Sequence, residues 1–367
     1  MRYFRIFDVP QIDEMCRTQI GMSVRKVYLC GMSFMGHFLT SPTLLLPYQS
    51  QIAELSEGDL ANFLAFCSRS IDSLKQILIS EQIYDDRFVY AFNSLRTFPL
   101  VGMDWFGKPA IVCPILTHLF WRITGGLYYL LCKNSRFGDA FGHSFQNYVG
   151  EVVSRALTRH TASLLSEKKY GSKAYVRDSV DWIVIDEDFA LFLECKAKRV
   201  SWDAKMALGD LSPLKEDMSQ LAAAVVQTYK AIVDYESNQY PHFPYDEARE
   251  VLPVVVTLEN WFMFGPRSRE MLKEAISSQM QQASLPATLL LQRPYSVVSI
   301  AEMEIGLQYA NVVGLRNFWR GKLDDSEMSE WAWFSYQQHK FGEAIDVQFL
   351  FEAEYDNLFP DSDSLPD

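Results

Sequence analysis

The stretch that most constrains this chain runs from Asp178 to Arg199: Asp-Ser-Val-Asp-Trp-Ile-Val-Ile-Asp-Glu-Asp-Phe-Ala-Leu-Phe-Leu-Glu-Cys-Lys-Ala-Lys-Arg. β-Branched and aromatic residues fill Asp181 to Ile185 and Phe189 to Lys198, and the polar triplet Asp186-Glu187-Asp188 between them reads as a turn, so the sequence predicts a hairpin. Side chains alternate across a strand. Phe189, Leu191, Leu193, Cys195 and Ala197 therefore share one face, while Ala190, Phe192, Glu194, Lys196 and Lys198 share the other. An acid and two amines leave an otherwise apolar strand on one side, where burial is costly unless the groups are paired or hold an ion. Asp181, opening the partner strand, is placed to join them.

Two carboxylates brought together across a hairpin suit a hard divalent cation, and a lysine beside them can hold or deprotonate a water. The order of features is a helix, an Asp-initiated strand, an acidic turn, a hydrophobic strand ending in Glu-x-Lys, and then a helix and a strand. This order resembles the PD-(D/E)XK, or restriction-endonuclease-like, nuclease superfamily over a core from about Phe137 to Glu259. Asp181, Glu194 and Lys196 match the motif, with Val180 where the motif carries proline.

The resemblance implies an α/β fold with a central mixed sheet flanked by helices, and metal-dependent hydrolysis of phosphodiester bonds, of DNA rather than RNA. It implies Mg²⁺, with Mn²⁺ as a substitute, held by Asp181 and Glu194 with the Cys195 carbonyl as a further ligand, while Lys196 positions the attacking water. A glutamate on the preceding helix often joins the metal in this superfamily. Glu151 is the match here, although Gln146 fills the other place where such an acid occurs. A role in bacterial restriction or anti-phage defence is the expectation that follows. The alternative is a non-catalytic module that keeps the fold to bind nucleic acid or a protein.

A net charge of −12 argues against broad attraction to phosphate, so a nucleic-acid surface has to be a local basic patch. Lys173, Arg177, Lys198 and Arg199 are the expected phosphate contacts, because with Lys168, Lys169 and Lys205 they concentrate cations around the hairpin. The turn acids Asp186 and Asp188, together with Asp178, are expected to be dispensable. The six cysteines include no C-x-x-C pair, which suits a reducing cytoplasm, and the opening residues lack a long apolar run before a small-residue cleavage site, so a secretory signal is not expected. The longest apolar region, Ile111 to Cys132, is interrupted by Pro114, His118 and Arg122, so a buried helix is expected rather than a membrane span. No H-E-x-x-H, phosphate-loop or G-x-S-x-G pattern is present.

Residues 1–135 are expected to be a mainly helical region, able to mediate a homodimer or a partner contact. Residues 136–350 are expected to form the nuclease-like domain with C-terminal helical additions, and 351–367 an acidic, mobile tail. Strands or loops are expected before residue 47, a helix from Ser56 toward Leu78, another from Pro114 to Leu131 broken near Gly125-Gly126, and a third from Phe141 to about Leu165. After the hairpin, Ser212-Pro213 starts a helix whose buried stripe is Leu214, Met218, Leu221, Val225, Tyr229 and Ile232. Val251 to Leu258 reads as a strand covered on both faces.

Overall fold

A computed structural model describes residues 1–50, 52–85, 88, 92–172, 175–201, 211–261 and 265–359. The chain divides into two compact units, Met1–Ser144 with Phe351–Asp367, and Phe145–Leu350.

The first unit is helical around a small sheet. Strands β1 (Thr43–Leu45), β2 (Ser68–Ser70), β3 (Leu100–Trp105) and β4 (Lys108–Val112) lie in the order β1-β4-β3-β2. Before residue 41 the chain forms helices rather than strands: Arg2–Phe7, Pro10–Ile20 and Val24–Thr40. Local chemistry explains the difference. Pro10 opens its helix, Gly21 closes it at φ 80°, and the Ser23 hydroxyl accepts the Lys26 N–H to start the next. The helix begun at Ser56 carries a reciprocal capping box with Asp59 and ends at Cys67, after which a second helix covers Ile71–Glu81. The apolar region breaks into Leu116–Ile123 and Leu127–Leu131, with Gly126 pressed on Trp121 at the break. The acidic C-terminal stretch opens with a helix, Glu352–Leu358, in which Leu358 is buried.

The second unit is built on a five-stranded mixed sheet ordered β11-β10-β9-β8-β5, from β5 (Ala162–Ser166), β8 (Trp182–Asp186), β9 (Phe189–Lys196), β10 (Glu250–Thr257) and β11 (Ser296–Ser299). A separate hairpin joins β6 (Lys169–Ser172) to β7 (Tyr175–Asp178). Strands β8 and β9 form the predicted antiparallel hairpin, with Asp186 opposite Phe189 and Trp182 opposite Leu193; Glu187 takes the turn at φ 57°. Strand β10 runs parallel to both β9 and β11. Because β9 and β10 are buried on both faces they read as continuous apolar runs, as interior strands must.

One face of the sheet, through Ile183, Ala190, Phe192, Val251 and Val255, packs on the Ser212–Glu236 and Pro266–Gln282 helices. Met218, Leu221, Val225, Tyr229 and Ile232 lie buried along the first of these, as their spacing predicts. On the opposite face the Trp182 indole lies on Gly150 of the Phe137–Ala156 helix and donates from Nε1 to the Gln146 carbonyl at 2.8 Å. A Cβ at Gly150 would stand 2.3 Å from the indole, so the close approach requires glycine. That helix ends at Ala156, not near Leu165, and the chain then forms β5. The second unit is thus an α/β structure with a mixed sheet and helices on both faces.

Candidate functional site

Extending the strand registers by one rung puts Glu167, Asp181 and Glu194 in a row across the ends of β5, β8 and β9. The rung from β5 is closed by the Glu167 N–H donating to the Asp181 carbonyl at 2.9 Å. Alternation turns Asp181 and Glu194 toward the same face, so Asp181 meets the Glu-x-Lys end of β9 as its place in the hairpin predicts.

Asp181 Oδ2 accepts the Cys195 N–H at 2.6 Å, which fixes the carboxylate against the backbone of β9. Glu194 is 4% exposed; its Oε1 accepts from Lys196 Nζ at 2.7 Å, whereas its Oε2 is buried with no hydrogen-bond partner. An unpaired buried carboxylate oxygen costs on the order of 1–3 kcal/mol. Burial first, and then the neighbouring Asp181 charge, push the Glu194 carboxyl up to about 7 against the pull of Lys196. Burial likewise raises Asp181, opposed by the Cys195 N–H and by Lys196. Burial tends to lower the Lys196 ammonium, but Glu194 and Asp181 outweigh it and hold it above its ordinary value. The Cys195 thiol is pushed well up by burial and by both acids, so it stays protonated and is neither thiolate ligand nor nucleophile.

A buried Glu194 carboxylate with an orphaned oxygen and the half-buried Asp181 carboxylate that raises it form an oxygen donor set that fits a hard divalent cation. Mg²⁺ in particular keeps several waters and takes only one or two protein carboxylates. Among the described residues no three His, Cys, Asp or Glu side chains come close enough to enclose a metal ion. Glu151, the expected supporting acid, therefore does not complete such a group. The third carboxylate whose charge raises both Asp181 and Glu194 is Glu167, exposed at the end of β5, with Gln146 Nε2 at 3.4 Å from its Oε2. Sequence reasoning missed Glu167 because it extended the preceding helix through β5; with β5 in place, the register leads directly to it.

The expected phosphate contacts fare differently. Lys198 Nζ binds Asp217 at 2.9 Å and also donates to Gln220. Arg199 is buried, its guanidinium on Glu259 at 3.0 Å, so it points inward rather than toward a phosphate. Arg177 Nη1 lies 2.7 Å from Asp234, which also accepts from the Tyr170 hydroxyl. Lys169 pairs with Asp178 at 2.8 Å. Lys173 and Lys205 lie outside the described residues. In the segment before the hairpin, Lys168 is exposed and without a carboxylate partner among the described residues.

The turn acid Asp186 is not a free solvent group. It is 4% exposed, accepts from the Thr161 hydroxyl and from the Leu315 N–H at 3.1 Å, and lies 3.2 Å from Arg159 Nε. Burial raises its carboxyl, but those partners outweigh burial and hold it below its ordinary value. Its expected dispensability concerns cleavage; for the fold the group has a structural part, tying the hairpin turn to the segment that enters β5 and to the Leu315–Leu323 helix. No described helix is long and apolar enough to cross a membrane.

No protein-family model matches the chain, and no curated protein matches it. Among solved structures, protein VC1899 from Vibrio cholerae is similar at 10% identity, over 83% of this chain and 56% of that one, with a TM-score of 0.22. The chain thus spans little more than half the length of that protein, and a likeness of this size carries no argument about fold or activity.

Proposed function

We propose that the chain is a divalent-cation-dependent nuclease of the PD-(D/E)XK type, acting on DNA at the Asp181, Glu194 and Lys196 cluster. The observation that carries this reading is the Glu194 carboxylate: one oxygen on Lys196 Nζ at 2.7 Å, the other buried without a partner beside Asp181. A structural ion pair would satisfy both oxygens. A cation-binding pair leaves one for the ion.

In this reading Asp181 and Glu194 hold Mg²⁺ or Mn²⁺, which supplies Lewis-acid stabilisation of charge on the phosphate and a more acidic water. Lys196 stays protonated through its pairing with Glu194, so it acts as a donor that orients the water or a phosphate oxygen, not as a free amine base. The Cys195 N–H keeps Asp181 from rotating away. Lys168 is the cation best free to meet the nucleic-acid backbone, since Lys198, Arg199 and Arg177 are spent on Asp217, Glu259 and Asp234. A role in restriction or anti-phage defence remains part of the same proposal.

The second reading, a non-catalytic nucleic-acid or protein-binding module, draws on the absence of a three-carboxylate group among the described residues. One experiment separates the two: cleavage and gel-shift assays on plasmid, linear and single-stranded DNA and on RNA, with Mg²⁺, Mn²⁺, Ca²⁺ or EDTA. The nuclease reading expects cleavage with Mg²⁺ or Mn²⁺ and binding without cleavage with Ca²⁺, both lost in Asp181→Asn/Glu194→Gln. Binding indifferent to metal and to the double substitution, with no cleavage under any ion, overturns it in favour of the binding module.

A further inference from the structure

The second unit carries a cavity of about 490 Å³ that runs along the edge strand β11 and reaches the carboxyl end of the parallel strand β10, between the Pro266–Gln282 helix and the segment around Trp331. The carboxyl ends of parallel strands are where open α/β sheets receive ligands. Thr257, opposite Lys196 in the register, lies in its wall, but Asp181, Glu194 and Lys196 do not.

Its lining has a definite chemical character. Tyr295 and Trp331 are half-buried aromatic walls, and the Trp331 ring is held edge to face by His339 at 5.2 Å. Trp261 and Ser296 are 4% and 3% exposed, and the indole Nε1 and the Ser296 hydroxyl are both buried without a hydrogen-bond partner. Both polar atoms are covered from water, so they lie just behind the cavity wall and are a cost of the fold, not donors presented to a ligand. At the rim Arg269 and Lys273 stand one helical turn apart on the same helix. Arg269 is taken up by the Glu330 carboxylate at 3.1 Å, whereas Lys273 is exposed and has no carboxylate partner among the described residues. The third cation, Lys322, is already saturated by the carbonyls of Met328, Ser329 and Trp331 at 2.6, 3.0 and 2.8 Å, and so it shapes the wall instead of meeting a ligand.

We infer that this cavity binds a nucleoside monophosphate, with the base against Tyr295 and Trp331 and the phosphate at Lys273. The volume falls in the range of small-molecule sites. Planar walls select a flat ring, and Lys273 at the rim, unpaired among the described residues, gives that ring's anionic group a counter-charge. The inference rests on none of the residues of the proposed nuclease site.

The test is isothermal titration of the full chain with AMP, GMP, CMP and UMP, and with adenosine and inorganic phosphate as controls. Saturable one-to-one binding of at least one monophosphate is expected, tighter than either control. Lys273→Glu, on an exposed position that leaves the fold intact, is expected to weaken it about tenfold or more, as placing an acid at the phosphate should. Trp331→Ala, checked for folding by its melting curve, is expected to weaken it similarly. Absence of saturable binding by all four monophosphates overturns the inference, as does binding that Lys273→Glu leaves unchanged. Retention of binding in Asp181→Asn/Glu194→Gln is expected; its loss there would place the ligand at the other site and equally overturn the inference.

Discussion

Lys196 Nζ lies 2.7 Å from Glu194 Oε1, two residues apart along one face of β9, and this contact leaves the second oxygen of the same carboxylate buried and unpaired. The pair is therefore lopsided: the lysine neutralises the charge without filling the carboxylate's bonding capacity.

Removing the lysine tests both roles at once. Lys196→Ala is expected to lower cleavage by about a hundredfold or more, as loss of a preorganised donor does. Without Lys196, which draws the Glu194 carboxyl down, that carboxyl should rise beyond about 7 and take up a proton at neutral pH. The variant should therefore melt near wild type at about pH 5, where Glu194 is protonated in both, and below it at about pH 8. Unchanged cleavage in a folded variant would remove Lys196 from the mechanism.

Asp186→Asn is expected to behave as a stability variant. The substitution weakens the bonds to Thr161, Arg159 and Leu315 in a buried setting, at a cost of about 2–3 kcal/mol near neutral pH. Because the folded carboxyl is held below its ordinary value, its contribution is present above the unfolded pKa and is lost as pH falls through the lower folded one. The gap between wild type and variant should close in acid, below about pH 4. Denaturant melts at several pH values read this directly, while cleavage per folded molecule should stay at the wild-type level.

The hairpin and its carboxylate pair were legible because a period of two, a polar turn and a short loop leave one register, and that register puts Asp181 opposite Glu194. The strand β5 was not. The sequence after Ala156 continues an amphipathic pattern, and the chain leaves the helix there for distant partners: Thr158 for Asn311, and Arg159 and Thr161 for Asp186. No local signal carries those bonds, so Glu167 stayed hidden with the strand that positions it. The pairing of the cations was hidden for a related reason. Lys198, Arg199 and Arg177 look free beside the hairpin, and their acids, Asp217, Glu259 and Asp234, arrive from later elements.

Glu167 is expected to tune the pair. Its charge adds to the fields that raise Asp181 and Glu194, so Glu167→Gln should lower both, easing their ionisation. If Glu167 also turns from Gln146 to support a bound cation, the same change should weaken cation affinity, and high Mg²⁺ should restore cleavage, as is expected for a supporting acid. Cleavage that matches wild type at every Mg²⁺ concentration would confine Glu167 to an electrostatic bystander.

The last prediction follows from the sign of the Glu194 shift. Its folded pKa, about 7, exceeds the ordinary 4.5, so the group favours the folded state fully below 4.5 and loses that contribution as pH rises through about 7. The raised Asp181 carboxyl acts in the same direction. A divalent cation binds only the deprotonated pair, so protons compete with it in the acid range and stop competing above neutrality. Mg²⁺ or Ca²⁺ should therefore raise the melting temperature little at about pH 5 and clearly at about pH 8, by about 1.4 kcal/mol of stability when the ion is at ten times its Kd. Asp181→Asn/Glu194→Gln should abolish the difference, and K⁺ at matched ionic strength should not reproduce it. The measurement is a set of melting curves in EDTA, Mg²⁺ and Ca²⁺ at the two pH values. An equal increase at both pH values, or one that survives the double substitution, would show that the cation acts elsewhere on this acidic chain and not between Asp181 and Glu194.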